Sequence, residues 1–95
     1  MKKNQSILKQ VIHGSEIRVQ SFKAAPLIEI IGYGRVLIEN HISIASYDMQ
    51  QIYIRVKYGM ILVQGDSLKL AYMSKEKLVI TGKIGSIHLL NNSSL

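Results

Sequence analysis

The chain has 95 residues, the size of a single small domain with one compact core. It contains 47% hydrophobic and 19% charged residues, a balance typical of a globular protein. The absence of cysteine excludes disulfides, thiolate metal sites and cysteine nucleophiles. No apolar run has the roughly 20 residues of a membrane helix or the form of a signal peptide, so we expect a cytoplasmic protein.

The formal net charge of +6 is concentrated at the N-terminus. Residues 1–25 hold five basic residues against one acidic residue, a net +4. Apolar residues at helical spacing predict a short helix near residues 6–12, ended by Gly14. Pro26 closes this segment because the residue before a proline avoids the helical conformation. We therefore predict a basic N-terminal segment over 1–25, partly helical or disordered, and a β-domain over 26–95.

From Leu27 onward, short apolar runs with a period of two predict β-strands. The clearest run is QIYIRVK, in which Ile52, Ile54 and Val56 alternate with polar residues. Turn sequences recur about every eight residues, which leaves no room for helices between parallel strands. The predicted strands are LIEII, RVLIE, ISIASY, QIYIRVK, MILVQ, LKLAYM, KLVIT and IHLL. The sequence therefore predicts an all-β domain of about eight short strands.

A weak repeat of 17 residues runs through this domain. The segments that begin at Met60 and Lys77 align without gaps, and each has a glycine at its sixth position. An antiparallel meander of hairpins and a β-solenoid with 17-residue rungs both produce such a period. The short links favour an antiparallel meander folded into two layers, with the solenoid as the alternative. The residues predicted to shape turns are Gly32, Gly65, Gly82 and Asn40.

Several strands carry apolar residues on both faces. A single-layer sheet leaves one of those faces in water, so either the sheet folds into two layers or copies of the chain associate. We therefore expect a homo-oligomer as one way of covering the second face. The residues on that face are Leu37, Tyr53, Met60, Leu62 and Val79.

The segment IENH raises the question of catalysis. Glu39 and His41 would share one face of a continuous strand, and Ser43 and Asp48 follow, so a hydrolytic set is conceivable. Asn40 favours a structural interpretation, in which polar residues flank a bend. The three histidines lie in separate segments, and no paired carboxylates or phosphate-binding glycine motifs occur. We predict a protein that is not an enzyme, with no catalytic residue, metal or cofactor.

One strand and its turn interleave aromatic and basic residues, namely Tyr53, Arg55, Lys57 and Tyr58. Proteins that bind single-stranded nucleic acid stack bases on aromatic side chains beside basic residues. With five tyrosines, one phenylalanine and no tryptophan, the chain offers only a small platform of this kind. These four residues are the candidate binding face, and a single-stranded nucleic-acid-binding module is the alternative function.

The order of the segments is similar to that of a known family. PLIEIIG, RVLIENH, YGMILVQG, LKLAYM and KLVITGKIGSIHL follow one another over residues 26–90. This order resembles the YabP/YqfC sporulation protein family, and the IENH segment resembles its YqfC branch most. The chain departs from that branch after His41, where Ile42 and Ser43 replace a basic residue and a glycine.

The resemblance implies a small protein made in the mother cell during endospore formation, with no catalytic residue set. It also implies a membrane-bound sporulation partner similar to YqfD, and hence a peripheral position at the forespore membrane. We therefore expect an interaction or scaffold domain. The basic N-terminal segment would add attraction to the partner or to anionic lipid, about 1 kcal/mol per basic residue near the surface.

Overall fold

The computed structural model describes residues 25–92, which form one antiparallel sheet. Its strands are β1 (Leu27–Ile31), β2 (Arg35–Glu39), β3 (His41–Tyr47), β4 (Gln51–Val56), β5 (Gly59–Met73) and β6 (Lys77–Asn91). The all-β prediction is confirmed, but residues 25–92 contain six strands rather than eight. The predicted N-terminal helix lies outside the described residues. Within 25–92 no helix is long and apolar enough to cross a membrane.

The strand number differs because two predicted turns are strand interiors. MILVQ and LKLAYM join into β5, and KLVIT and IHLL join into β6, each 15 residues long. Gly65 and Gly82 therefore do not lie in hairpin turns, as the sequence predicted, but in the middle of these strands. The pairing of β5 with β6 shifts register at three places in this region. Such bulges bend a pair of strands without ending it.

Two glycines permit the strands to approach closely at the bend. A Cβ atom on Gly65 would overlap the carbonyl oxygen of Lys83. A Cβ atom on Gly82 would lie 2.6 Å from the carbonyl oxygen of Ser67, and Gly82 has a φ of +132°, which side chains rarely allow. Both positions therefore require glycine for close packing inside a strand.

The strand order is β1-β2-β6-β5-β4-β3, and every neighbouring pair is antiparallel. This pairing excludes the β-solenoid, whose rungs stack in parallel. A meander is present for β3 to β6, which are neighbours in the sheet in chain order. The β1–β2 hairpin departs from it, because β2 pairs with β6 and not with β3. The sheet is open, with β1 and β3 at its edges.

The bend divides the sheet into two halves. In one half, β1 and β2 extend the first part of β6, where Arg35 pairs with Thr81. In the other half, β3 and β4 extend the first part of β5, where Gln51 pairs with Gln64. One core cluster draws residues from both halves, so the bent sheet wraps around it. Its members are Val36, Ile38, Ile52, Ile54, Val56, Ile61, Val63, Leu68, Leu78 and Ile80.

Alanine substitutions test the role of the bend. Gly65→Ala and Gly82→Ala should each lower the free energy of unfolding by roughly 1–3 kcal/mol, because the added Cβ atom meets backbone. Gly34→Ala is the control, since its nearest neighbour would lie at 3.6 Å. We expect it to change stability by at most about 0.5 kcal/mol. Urea denaturation measures the free energy of unfolding of all three variants. Equal losses of stability in the three variants would contradict a special role of the bend.

Candidate functional site

The IENH segment forms a corner of the chain. Asn40 is the one residue between β2 and β3, and its φ is +64°. These two strands are not neighbours in the sheet, so the connection is a corner between the two halves and not a hairpin bend. The Asn40 Nδ2 donates a hydrogen bond to the carbonyl oxygen of Ala25 at 2.8 Å, and its backbone N–H donates to the carbonyl oxygen of Glu76. The corner thereby fixes the start of the β-domain.

The polar residues around this corner do not converge on a catalytic set. His41 is only 8% exposed and pairs with Val56, and within residues 25–92 its Nδ1 atom has no hydrogen-bond partner. Ser43 instead pairs with Arg55. The Asp48 carboxylate closes the β3–β4 turn, where its Oδ1 accepts hydrogen bonds from two backbone N–H groups at 2.7 and 2.8 Å. Residues 25–92 also contain no group of three or more histidines and acids that could hold a metal ion.

The structure divides the candidate binding face into two parts. Tyr53 and Arg55 lie on β4 and alternate with the core residues of that strand, so they point away from the core. Lys57 and Tyr58 form the β4–β5 turn, with the Lys57 Nζ atom 5.3 Å from the centre of the Tyr58 ring. Tyr53 is half-buried and Tyr58 is exposed. The four residues therefore do not form a continuous row of exposed aromatic side chains.

A hydrogen-bonded group on the same outer face was not predicted. The His88 Nε2 atom lies 3.0 Å from both Gln64 Oε1 and Ser86 Oγ, and Ser86 Oγ lies 3.2 Å from Gln64 Oε1. An amide oxygen only accepts, so in the tautomer that bonds to Gln64 the proton is on Nε2. It then cannot take a proton from Ser86, and the serine is not activated as a nucleophile. The sequence does not predict this group, because the group depends on the register of β5 with β6.

A seam runs along one side of the molecule, between β1 and the second part of β6. At one end, the Ile84 N–H donates a hydrogen bond to the carbonyl oxygen of Tyr33 at 2.9 Å. Beyond it, β1 has no strand partner on this side among residues 25–92. One depression of about 300 Å³ lies at this end, and another of about 180 Å³ lies between Pro26 and the end of β6. We call the gap between residues 26–33 and 84–91 the open seam.

The edge of β1 along the open seam is apolar and regular. Glu29 is its one charged residue, and the pairing of β1 with β2 contains no bulge. Natural edge strands usually carry lysine, proline, bulges or a cover, which prevent pairing with another strand. The exposed apolar side chains along the seam are Leu27 (52%), Ile30 (58%), Ile31 (51%), Tyr33 (88%) and Leu89 (70%).

The opposite side of the molecule is protected. There β3 forms the edge, and its pairing with β4 is interrupted by two register shifts. Backbone N–H groups in the second part of β5, beside this edge, are also already hydrogen-bonded. The Leu70 N–H donates to the Tyr47 hydroxyl at 2.9 Å, and the Leu68 N–H donates to the carbonyl oxygen of Met49 at 2.8 Å. The open seam is therefore the side better suited to bind an additional strand.

Residues 23–95 match the model of the YabP family, and the chain belongs to this family. It is a family of sporulation proteins that is not known as enzymatic. The resemblance seen in the sequence is thereby confirmed for the family, while assignment to the YqfC branch stays a prediction. No curated protein and no solved structure matches the chain significantly.

Substitution of His41 separates a structural from a catalytic role. His41→Leu should raise the free energy of unfolding by on the order of 1 kcal/mol, because it removes a buried nitrogen that has no hydrogen-bond partner in the described part of the chain. Spore formation should be unchanged. The control is His88→Leu, which breaks hydrogen bonds on the exposed face and should not stabilise the domain. Loss of spore formation in a folded His41→Leu protein would contradict the structural role.

Proposed function

We propose that this member of the YabP family acts in endospore formation as an interaction domain without catalytic activity. Its docking site is the open seam, and its ligand is an extended segment of a partner protein. The observation that carries the proposal is the exposed, regular and apolar edge of β1. An edge of this kind offers unpaired N–H and C=O groups to a further strand.

The seam also defines the side chains that a docked strand would need. In the register of β1 with β2, Ile28 and Ile30 face the core residues Ile38 and Val36, while Glu29 faces outward. A strand beside β1 would therefore place alternate apolar residues over the seam. Glu29 forms no ion pair within residues 25–92, so a basic residue opposite it is favoured. The ligand is thus an apolar–basic–apolar strand.

The proposed partner is a membrane-bound sporulation protein similar to YqfD. We choose this partner because of the resemblance to the YqfC branch, and the proposal includes a position in the mother-cell cytoplasm, at the forespore membrane. The basic N-terminal segment supports it, because a net +4 over residues 1–25 attracts an anionic membrane surface. The seam would then provide specificity and the basic segment would provide attraction to the membrane.

Two isoleucine substitutions test the docking site. Ile30 and Ile42 are similarly exposed, at 58% and 63%, but only Ile30 lines the open seam. Ile30→Lys should lower the affinity for the YqfD-like protein about tenfold or more, since a charge replaces a docked apolar side chain. Ile42→Lys should leave it unchanged. Co-purification of the tagged proteins from sporulating cells, with spore counts, measures the effect. Equal binding by both variants would contradict a docking site in the seam.

Lysine substitutions test the attraction to membranes. The triple variant Lys2→Gln, Lys3→Gln and Lys9→Gln removes three charges and leaves the β-domain intact. At about 1 kcal/mol per residue, binding to vesicles containing anionic phosphatidylglycerol should fall roughly 100-fold. Neutral phosphatidylcholine vesicles are the control and should bind both proteins weakly. If the triple variant floats with anionic vesicles as the natural chain does, the basic segment has no such role.

A further inference from the structure

The two edges of the open seam run in opposite directions. β1 starts at the smaller depression, where Pro26 lies near residues 89–91 at the end of β6. It ends at the larger depression, where Ile30 and Tyr33 lie near residues 84–87 of β6. The direction of each edge is therefore the one that antiparallel pairing with the other edge requires.

One backbone hydrogen bond sets the register of the two edges. The Ile84 N–H donates to the carbonyl oxygen of Tyr33, at the end where the edges meet. When residues are counted in opposite directions from this bond, the pairs that come level also line the same depression at both ends of the seam. The level pairs are Ile30 with Ile87, Ile28 with Leu89, and Pro26 with Asn91.

This register matches the two edges face by face. Ile28 and Ile87 both pack against the core cluster, so residues that face the core on one edge are level with residues that face the core on the other. On the outer face, Glu29 of β1 is level with His88 of β6. A carboxylate thus meets an imidazole. Pairing of β1 with a second β1 around its centre would instead place two Glu29 carboxylates together.

The backbone of β6 offers the hydrogen bonds that such pairing needs. The Asn92 N–H donates to the carbonyl oxygen of Tyr58 at 2.9 Å. Bonded and non-bonded pairs alternate along an antiparallel ladder, so the N–H and C=O groups of Ile87 and Leu89 point away from β5 and into the seam. Within residues 25–92, β1 and β6 are not paired as strands. One chain therefore keeps two complementary edges apart.

We propose that the open seams of two copies join in a two-fold dimer, in which β1 of each copy pairs with the second part of β6 of the other copy. A two-fold axis parallel to the strands keeps every residue at its level, so the register across one seam is also the register between the copies. Both ladders are antiparallel and form together. They cover Ile30 and Leu89, which are 58% and 70% exposed in one chain.

The dimer gives the homo-oligomer expected from the sequence a specific interface. It concerns the chain without its partner protein, and it does not rest on the proposed function. A partner strand beside β1 would use the same edge, so the chain would bind that strand as a monomer.

A charge exchange tests the pairing of Glu29 with His88 of the second copy. His88→Glu places two carboxylates opposite each other in both ladders and should weaken the dimer about tenfold or more. Adding Glu29→Lys brings opposite charges together and should restore the dimer, which unfolding caused by His88→Glu would not allow. Arg55→Glu is the control, because Arg55 is exposed on β4, which is not beside the seam.

Sedimentation equilibrium of the full chain measures these differences. The natural chain and Arg55→Glu should have the mass of two chains, and His88→Glu should shift toward the mass of one. A natural chain that stays a monomer up to about 100 μM would overturn the proposal, since any dimer would then be very weak. Equal association of His88→Glu and the natural chain would overturn it as well.

Cysteine pairs distinguish the dimer from closure of the seam within one chain, which has no natural cysteine. Glu29→Cys with His88→Cys makes two level thiols on the outer face and should form disulfides between two chains under mild oxidation. Glu29→Cys with Leu89→Cys is the matched control and should react at least about tenfold more slowly, because its side chains point to opposite faces. Equal rates, or disulfides mainly within one chain, would contradict the dimer.

The dimer and the proposed function fail in different ways. If the natural chain is a monomer but Ile30→Lys weakens binding of the YqfD-like protein, the docking site stands and the dimer fails. If the charge exchange restores the dimer but Ile30→Lys and Ile42→Lys bind that protein equally, the dimer stands and the docking site fails. His88→Glu leaves β1 unchanged, so it should not lower the affinity for a strand that docks beside β1.

Discussion

The close approach of β5 and β6 at Gly65 and Gly82 is the constraint on which the rest of the structure depends. Because neither glycine has a side chain, the two strands bend together and continue to pair beyond the bend. The bend gives each long strand two neighbours, so that β2 pairs with the first part of β6 and β4 with the first part of β5. Both hairpins then contribute to one core, and the open seam is the space that the bend leaves between β1 and β6.

The 17-residue repeat gains a physical meaning from this arrangement. The repeats that begin at Met60 and Lys77 are the long strands β5 and β6, and their shared glycine marks the bend in each. The stretches before them fold as two hairpins. The β1–β2 hairpin pairs with β6, and the β3–β4 hairpin pairs with β5. A repeat of this kind indicates two similar halves, and the antiparallel pairing shows that they are not the stacked rungs of a solenoid.

Alternation of apolar residues was sufficient to predict which stretches form strands, but not the length of β5 and β6 or the pairing of the strands. The sequence located β1 to β4 because each has a period of two and ends at a turn residue. It placed turns at Gly65 and Gly82 because glycine marks both turns and bulges, and only the opposing strand distinguishes them. The pairing of β2 with β6 joins residues far apart in the chain, which local patterns do not contain. The seam depends on that pairing and could not be predicted either.

The two sides of the sheet differ in how their edges are protected, and this difference is the reason for the docking site that we propose. On the β3 side, bulges and the Tyr47 hydroxyl use the groups that a further strand would need. On the β1 side, the chain keeps a regular edge with exposed isoleucines and with Glu29 as the one charged residue of the strand. Such an edge invites aggregation unless a strand covers it. A partner strand that docks there, as we propose, would cover this edge, so recognition and protection of the edge would use one surface.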